Sequence, residues 1–137
     1  MKHLAFTAAA ALAAAPAIAQ DGDPAAGESA FAQCRACHSI EGPDETIQAG
    51  GQIGPNLYGL AGRTAGSVEG FDYSDSLAAA GEAGLTWDAD SFADYVADPA
   101  GFLQDYLDDE SASTNMTFQF NGNAADLWAF LAQYGAQ

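Results

Sequence analysis

Lysine is missing from this chain after residue 2, and the only cations beyond it are Arg35 and Arg63. Against them stand 19 aspartates and glutamates, all between Asp21 and Asp126, so residues 20–137 carry two positive and 19 negative charges, a formal −17. Nucleic acid and anionic membrane surfaces are excluded as partners, because like charge opposes both. Sulfur and imidazole are scarce too, with two cysteines, two methionines and two histidines in 137 residues. Any site that needs them has few candidates. Past the N-terminal segment there is no internal repeat, no membrane-spanning apolar run, and no alternating run long enough for a sheet. The acidic residues are interspersed with apolar ones, which describes a solvated surface rather than a disordered acidic tail.

What is present begins with an export signal. Lys2 gives a short positive start, Leu4 to Ala15 is apolar, Pro16 breaks the run, and Ala17-Ile18-Ala19 places small residues where a signal peptidase reads. The run falls short of the ~20 apolar residues that span a bilayer. Cleavage after Ala19 leaves residues 20–137 as one small domain. The spacing predicts a first helix over Pro24–Gln33 with Phe31 on its buried face, then a glycine- and proline-rich loop over Glu41–Gly70. Ser74 caps a second helix through Ala80, stopped by Gly81. Thr86 caps a third, in which Phe92, Tyr95 and Val96 share a face and which Pro99 ends. Asn123 caps the last, with Leu127, Phe130, Leu131 and Tyr134 as its stripe and Gly135 as its stop. The fold class is all-α, with helices joined by long loops.

Both cysteines lie in "CRACHSI", residues 34–40, directly followed by His38. A structural zinc site needs four ligands, usually thiolate or imidazole. Beyond the signal there are only Cys34, Cys37 and His38, so a carboxylate would have to complete the set. A histidine directly after the second cysteine is also awkwardly placed to share a tetrahedral site with both. A thioredoxin-like dithiol belongs to an alternating strand–helix chain, which this is not. A plain disulfide leaves His38 unexplained. Cys-x-x-Cys-His is the attachment signature of c-type haem, in which both thiols add to the porphyrin from one helical turn and the next imidazole reaches the iron. A second axial ligand of the usual kind is then Met116, the one methionine outside the signal, in the aperiodic polar stretch "STNMTFQF". A lone methionine is more often core filler, but this setting is a loop.

With "IGPNLYGLAGRTAGSVEGFDYSDS", "LTWDADSFADYVADPAGFL", "NMTF" and "ADLWAFLAQ" following in order, the chain resembles the class I c-type cytochromes, nearest the bacterial cytochrome c2 group, relatives of mitochondrial cytochrome c. The resemblance covers residues 20–137, with longer loops from His38 to Pro55 and from Pro99 to Met116 than in the mitochondrial form. It implies the small cytochrome c fold around one covalently bound haem c, held by Cys34 and Cys37 with His38 and Met116 on the iron. It implies that the Pro55 carbonyl takes the ring N–H of the ligating histidine, fixing its tautomer. Arg63, Tyr73, Trp87 and Thr114 match positions that neutralise or hydrogen-bond the haem propionates, and Tyr95 matches one whose hydroxyl approaches the methionine sulfur. Phe31, Leu57 and Leu127 match apolar packing positions. The family commonly rings its haem edge with lysines; here they are gone, and Asn115 stands where one is frequent.

The expected function is that of a monomeric periplasmic electron carrier, not an enzyme. By resemblance its donors and acceptors are membrane redox complexes: a bc1-type complex, a terminal oxidase or a photosynthetic reaction centre. The rival is a haem enzyme or gas-binding protein with an open iron position, such as a small peroxidase. That rival needs distal acid–base groups, and beyond the signal there is no second histidine.

Overall fold

The computed structural model describes residues 21–137, so the expected signal peptide and its cleavage point lie outside the described residues. In chain order the elements are α1 (Pro24–Phe31), β1 (Ile40–Glu41), β2 (Thr46–Gln48), α2 (Asp75–Glu82), α3 (Ala89–Ala97), α4 (Pro99–Leu107) and α5 (Ala124–Leu131). Asp23 caps α1 by accepting from Ala25 N at 2.9 Å, and Pro24 sits in the first turn, where its missing N–H is not needed. Regular helix ends at Phe31 rather than Gln33. The chain then tightens into single turns with Cys34 N on Phe31 O at 2.8 Å and Cys37 N on Cys34 O at 3.1 Å.

The first and last helices cross at close quarters. A Cβ on Gly27 would collide with the carbonyl of Asp126, so only glycine lets the two backbones approach this far. Phe31 and Phe130 meet there, fully buried, with ring centroids 5.8 Å apart. Each such burial stabilises by roughly 1.5–3 kcal/mol. Leu127 and Leu131 complete the buried stripe of α5, whose cap is Asn123 accepting from Ala125 N at 3.0 Å. Tyr134 lies beyond the end of the helix and reaches the stripe from a turn, edge-on to Phe130.

Four further expectations need correction. Gly81 does not stop α2; it lies inside the helix, and glycine is needed there because a Cβ would strike the Ala65 carbonyl. Thr86 is not the cap of α3. It is held in an isolated bridge to Thr64, and the cap is Asp88, in a reciprocal pair with Ser91. Pro99 ends α3 and also opens α4, capped by Asp98, so the stretch read as loop from Pro99 onward begins with nine helical residues. A short sheet exists as well: β1 and β2 pair antiparallel, Ile40 opposite Gln48, with an irregularity after Ile40. Strands of two and three residues are too short to show a period of two.

The Asp88 cap carries a test. Its hydrogen bonds to the Ser91 backbone and hydroxyl hold the Asp88 carboxyl below its ordinary 3.8. A depressed carboxyl stabilises fully above the unfolded value and loses that contribution as pH falls through the folded one. Asp88→Ala is expected to cost about 1 kcal/mol at neutral pH, as cap losses do. The gap between variant and parent in denaturant unfolding should narrow as pH falls below about 3.8, because the protonated carboxyl still accepts from Ser91 N but without the charge. A gap that persists unchanged in acid would assign the effect to something other than the ionised cap.

Candidate haem site

The turn that carries Cys34, Cys37 and His38 follows directly from α1. His38 N bonds to Cys34 O at 2.9 Å, so these three side chains come from one turn. No disulfide joins the cysteines. Burial, and then the neighbouring Cys37, push the Cys34 thiol up to about 11. A redox dithiol or nucleophile works with a depressed value, so this environment opposes the thioredoxin-like reading. Among the described residues no group of three or more histidine, cysteine or acidic side chains gathers around a common metal point.

His38 is fixed from two sides. Its Nδ1 lies 2.8 Å from the Pro55 carbonyl. A carbonyl only accepts, so Nδ1 carries the proton and Nε2 is left with its lone pair. Burial lowers the His38 pKa, against the pull of the Pro55 carbonyl and with help from the Arg63 charge. The ring is therefore neutral, the form that ligates a metal. Gly54 lies flat against it; any Cβ at that position would fall within contact distance of Cε1, Nδ1 and Nε2. Asn56, which sequence reasoning passed over, positions this loop. Its Oδ1 accepts from Glu41 N and Tyr58 N, each at 3.0 Å, while its Nδ2 donates to Glu41 O at 2.8 Å. An asparagine following Gly-Pro is the signal that could have found it, since its side chain mimics a turn.

All ten residues named from the sequence line one cavity of about 330 Å³. Cys34, Cys37, His38 and Pro55 form part of its wall, Arg63, Tyr73 and Trp87 come from the central loops, Tyr95 from α3, and Thr114 and Met116 from the segment before α5. Leu57 and Leu127 line it too, whereas Phe31 packs behind it in the core between α1 and α5. Trp87 and Tyr95 are buried and tilt against each other at 5.0 Å. The Tyr95 hydroxyl pairs with Thr114 Oγ1 at 2.9 Å, and Thr114 Oγ1 also accepts from Met116 N at 3.2 Å. Both hydroxyls thus brace the backbone that presents Met116. Burial keeps the Tyr95 phenol protonated by raising its pKa, although the bond to Thr114 opposes this.

Arg63 is the one charged residue in the lining, and it is only 8% exposed. Its Nη1 donates to two neutral carbonyls, Asn56 O at 3.0 Å and Tyr58 O at 3.3 Å. No carboxylate is among these hydrogen-bond partners. A buried cation satisfied only by dipoles favours an anion beside it. Haem c offers two propionates, a flat apolar ring, two vinyl carbons for thiols and an iron for an imidazole. The residues fit each requirement.

No protein-family model matches the chain. Individual relatives do. Cytochrome c2 of Rhodobacter capsulatus is 48% identical over 129 residues, 93% of each chain. Cytochrome c-551 of Roseobacter denitrificans is 51% identical over 120 residues, covering 87% of this chain and 85% of its own. Among solved structures, cytochrome c2 of Paracoccus denitrificans superposes with a TM-score of 0.81 at 47% identity, over 84% of this chain and 98% of its own. Cytochrome c-550 of Paracoccus versutus gives the same TM-score at 44% identity, over 84% and 99%. With near-complete overlap at such identity, this chain belongs to the cytochrome c2 family of class I c-type cytochromes.

Proposed function

We propose that this protein is a periplasmic electron carrier holding one haem c through thioethers to Cys34 and Cys37, with His38 and Met116 as axial ligands. The observation that carries the proposal is the neutral, pinned His38 ring. It shares a cavity wall with both thiols, and Met116 lines the same cavity. Bound there, the haem supplies a one-electron ferrous–ferric couple.

The chain's own residues do the rest. Pro55 and Gly54 hold the imidazole in one tautomer and orientation, which raises its basicity as a ligand. Arg63, with Tyr73, Trp87 and Thr114 nearby, offsets the charge of the propionates. Leu57, Leu60, Phe92, Val96, Leu127 and Leu131 make most of the wall apolar and keep water out. Met116 is half-buried on a segment tied by Thr114, so its thioether has a defined position from which to ligate.

Membrane redox complexes are the proposed donor and acceptor, of the kinds the family resemblance implies. Among the described residues no helix is long and apolar enough to cross a membrane. A haem enzyme would need a free group for acid–base work at an open iron position. His38 is the one histidine of the lining, and the guanidinium of Arg63 is already engaged.

The test is a spectroscopic redox titration of the purified holoprotein. Expected is one reversible one-electron transition with six-coordinate spectra in both states and no carbon monoxide adduct in the ferrous form. Rapid carbon monoxide binding by the unmodified protein, with turnover of peroxide, would instead support the open-iron reading.

A further inference from the structure

The mouth of the cavity differs from the rest of this acidic protein. None of the 19 carboxylates lines the cavity. Three large apolar side chains are well exposed: Ile53 at 78%, Phe118 at 42% and Tyr106 at 40%. Ile53 and Phe118 both line the cavity while facing solvent, so they stand at its opening. Ile53 immediately precedes the Gly54–Pro55 pair that holds His38, and Phe118 lies two residues past Met116. Exposed Gln33, Ala36, Asn115 and Thr117 complete the rim without a charge. Tyr106 lies apart, in a groove between α3 and α4 with Asp94, Asp98 and Asp105.

An uncharged rim sheds water at little cost, because no ion has to be desolvated. Over residues 20–137 as a whole, two positive charges against 19 negative ones attract cations from a distance. A second copy of this chain would be repelled by the same field, and so would an anionic lipid surface. We infer that the mouth, centred on Ile53 and Phe118, docks a partner protein whose contact surface is apolar at its centre and basic around it. It rests on the electron-carrier reading. The acids bring the partner in, and the two apolar side chains set how closely it seats.

The probe is a ferrous, lysine-rich mitochondrial-type cytochrome c, whose basic ring surrounds its own haem edge. It is mixed with the ferric holoprotein in a stopped-flow instrument. From about 0.01 M to about 1 M salt the Debye length falls from about 30 Å to about 3 Å, and the second-order rate is expected to fall ~10-fold or more. At the high-salt end, where contact alone remains, Ile53→Ser with Phe118→Ser should lower the rate several-fold at equal driving force, each variant's potential having been measured. Tyr106→Ser should match the parent. A rate that is flat or rises with salt overturns the inference, and so does an Ile53→Ser/Phe118→Ser variant as fast as the parent at 1 M. Reduction by ascorbate separates the two levels. Protein that ascorbate reduces reversibly but that fails the salt test sinks only the docking surface; protein with no reversible haem couple sinks the carrier reading itself.

Discussion

Replacing both Cys34 and Cys37 with alanine is expected to leave no haem on the polypeptide after extraction with acidic acetone, while either single replacement leaves one thioether. The reason is positional. The turn closed by Cys37 N on Cys34 O and His38 N on Cys34 O brings both thiols and the imidazole to the same cavity wall. No other cysteine exists to substitute. The consequence should extend to the fold. A largely apolar cavity of about 330 Å³, left without its occupant, corresponds to about 8 kcal/mol at ~24 cal/mol per Å³, an upper bound because the mouth admits water. A small domain has only about 5–15 kcal/mol in total. The double variant should therefore lose most of its helical circular dichroism at growth temperature, and each single variant much less. Mass spectrometry reads the attachment and circular dichroism reads the fold. Haem that stayed covalently bound in the double variant would refute the assignment of the thioethers.

The helical fold class was legible in the sequence, and so was a short list of candidate site residues. Four of its residues are chemically rare: within residues 21–137, two thiols, one imidazole and one thioether leave little to choose between. The other six, Pro55, Arg63, Tyr73, Trp87, Tyr95 and Thr114, follow only from the family resemblance, and all ten line one cavity. Asn56 and Gly54 were harder to read, since one acts through backbone hydrogen bonds and the other through the absence of a side chain. Helices with a polar cap and an apolar stripe were visible, as at Ser74 and Asn123. Errors fell where one residue type serves two opposite purposes. Proline ends a helix and also begins one, so Asp98-Pro99 followed by Phe102, Leu103, Tyr106 and Leu107 at helical spacing is both a stop and a start. Glycine marks a helix end, but at Gly81 it marks close approach to the Ala65 carbonyl, a tertiary fact no local pattern encodes. Thr86 and Asp88 both have capping side chains. The bridge from Thr86 to Thr64 decided between them, across 22 residues of chain.

Met116→Ala is expected to change the redox chemistry more than the fold. The side chain is half-buried, so its loss should cost at most the low end of the ~2–5 kcal/mol typical for truncating a buried methionine. The braces around it remain, because Tyr95 bonds to Thr114 and Thr114 accepts the backbone N–H of residue 116, a bond that alanine also makes. Ligation by a thioether favours the ferrous state and raises the potential; axial ligation as a whole spans ~0.8 V among haem proteins, so its removal should lower the midpoint by on the order of 100 mV or more. The ferric parent should show the weak far-red charge-transfer band of iron–thioether ligation, and the variant should lack it. Cyanide and carbon monoxide should bind the variant readily, because no other methionine or histidine of the described residues lines the cavity to take the sixth position. Thr114→Val is the companion change. It keeps the thioether but removes the hydroxyl that ties Tyr95 to the 116 backbone, so the far-red band should persist while ligand binding becomes modestly faster. If Met116→Ala kept the band and the potential of the parent, the thioether would not be the ligand. The loop would then be serving only to close the cavity.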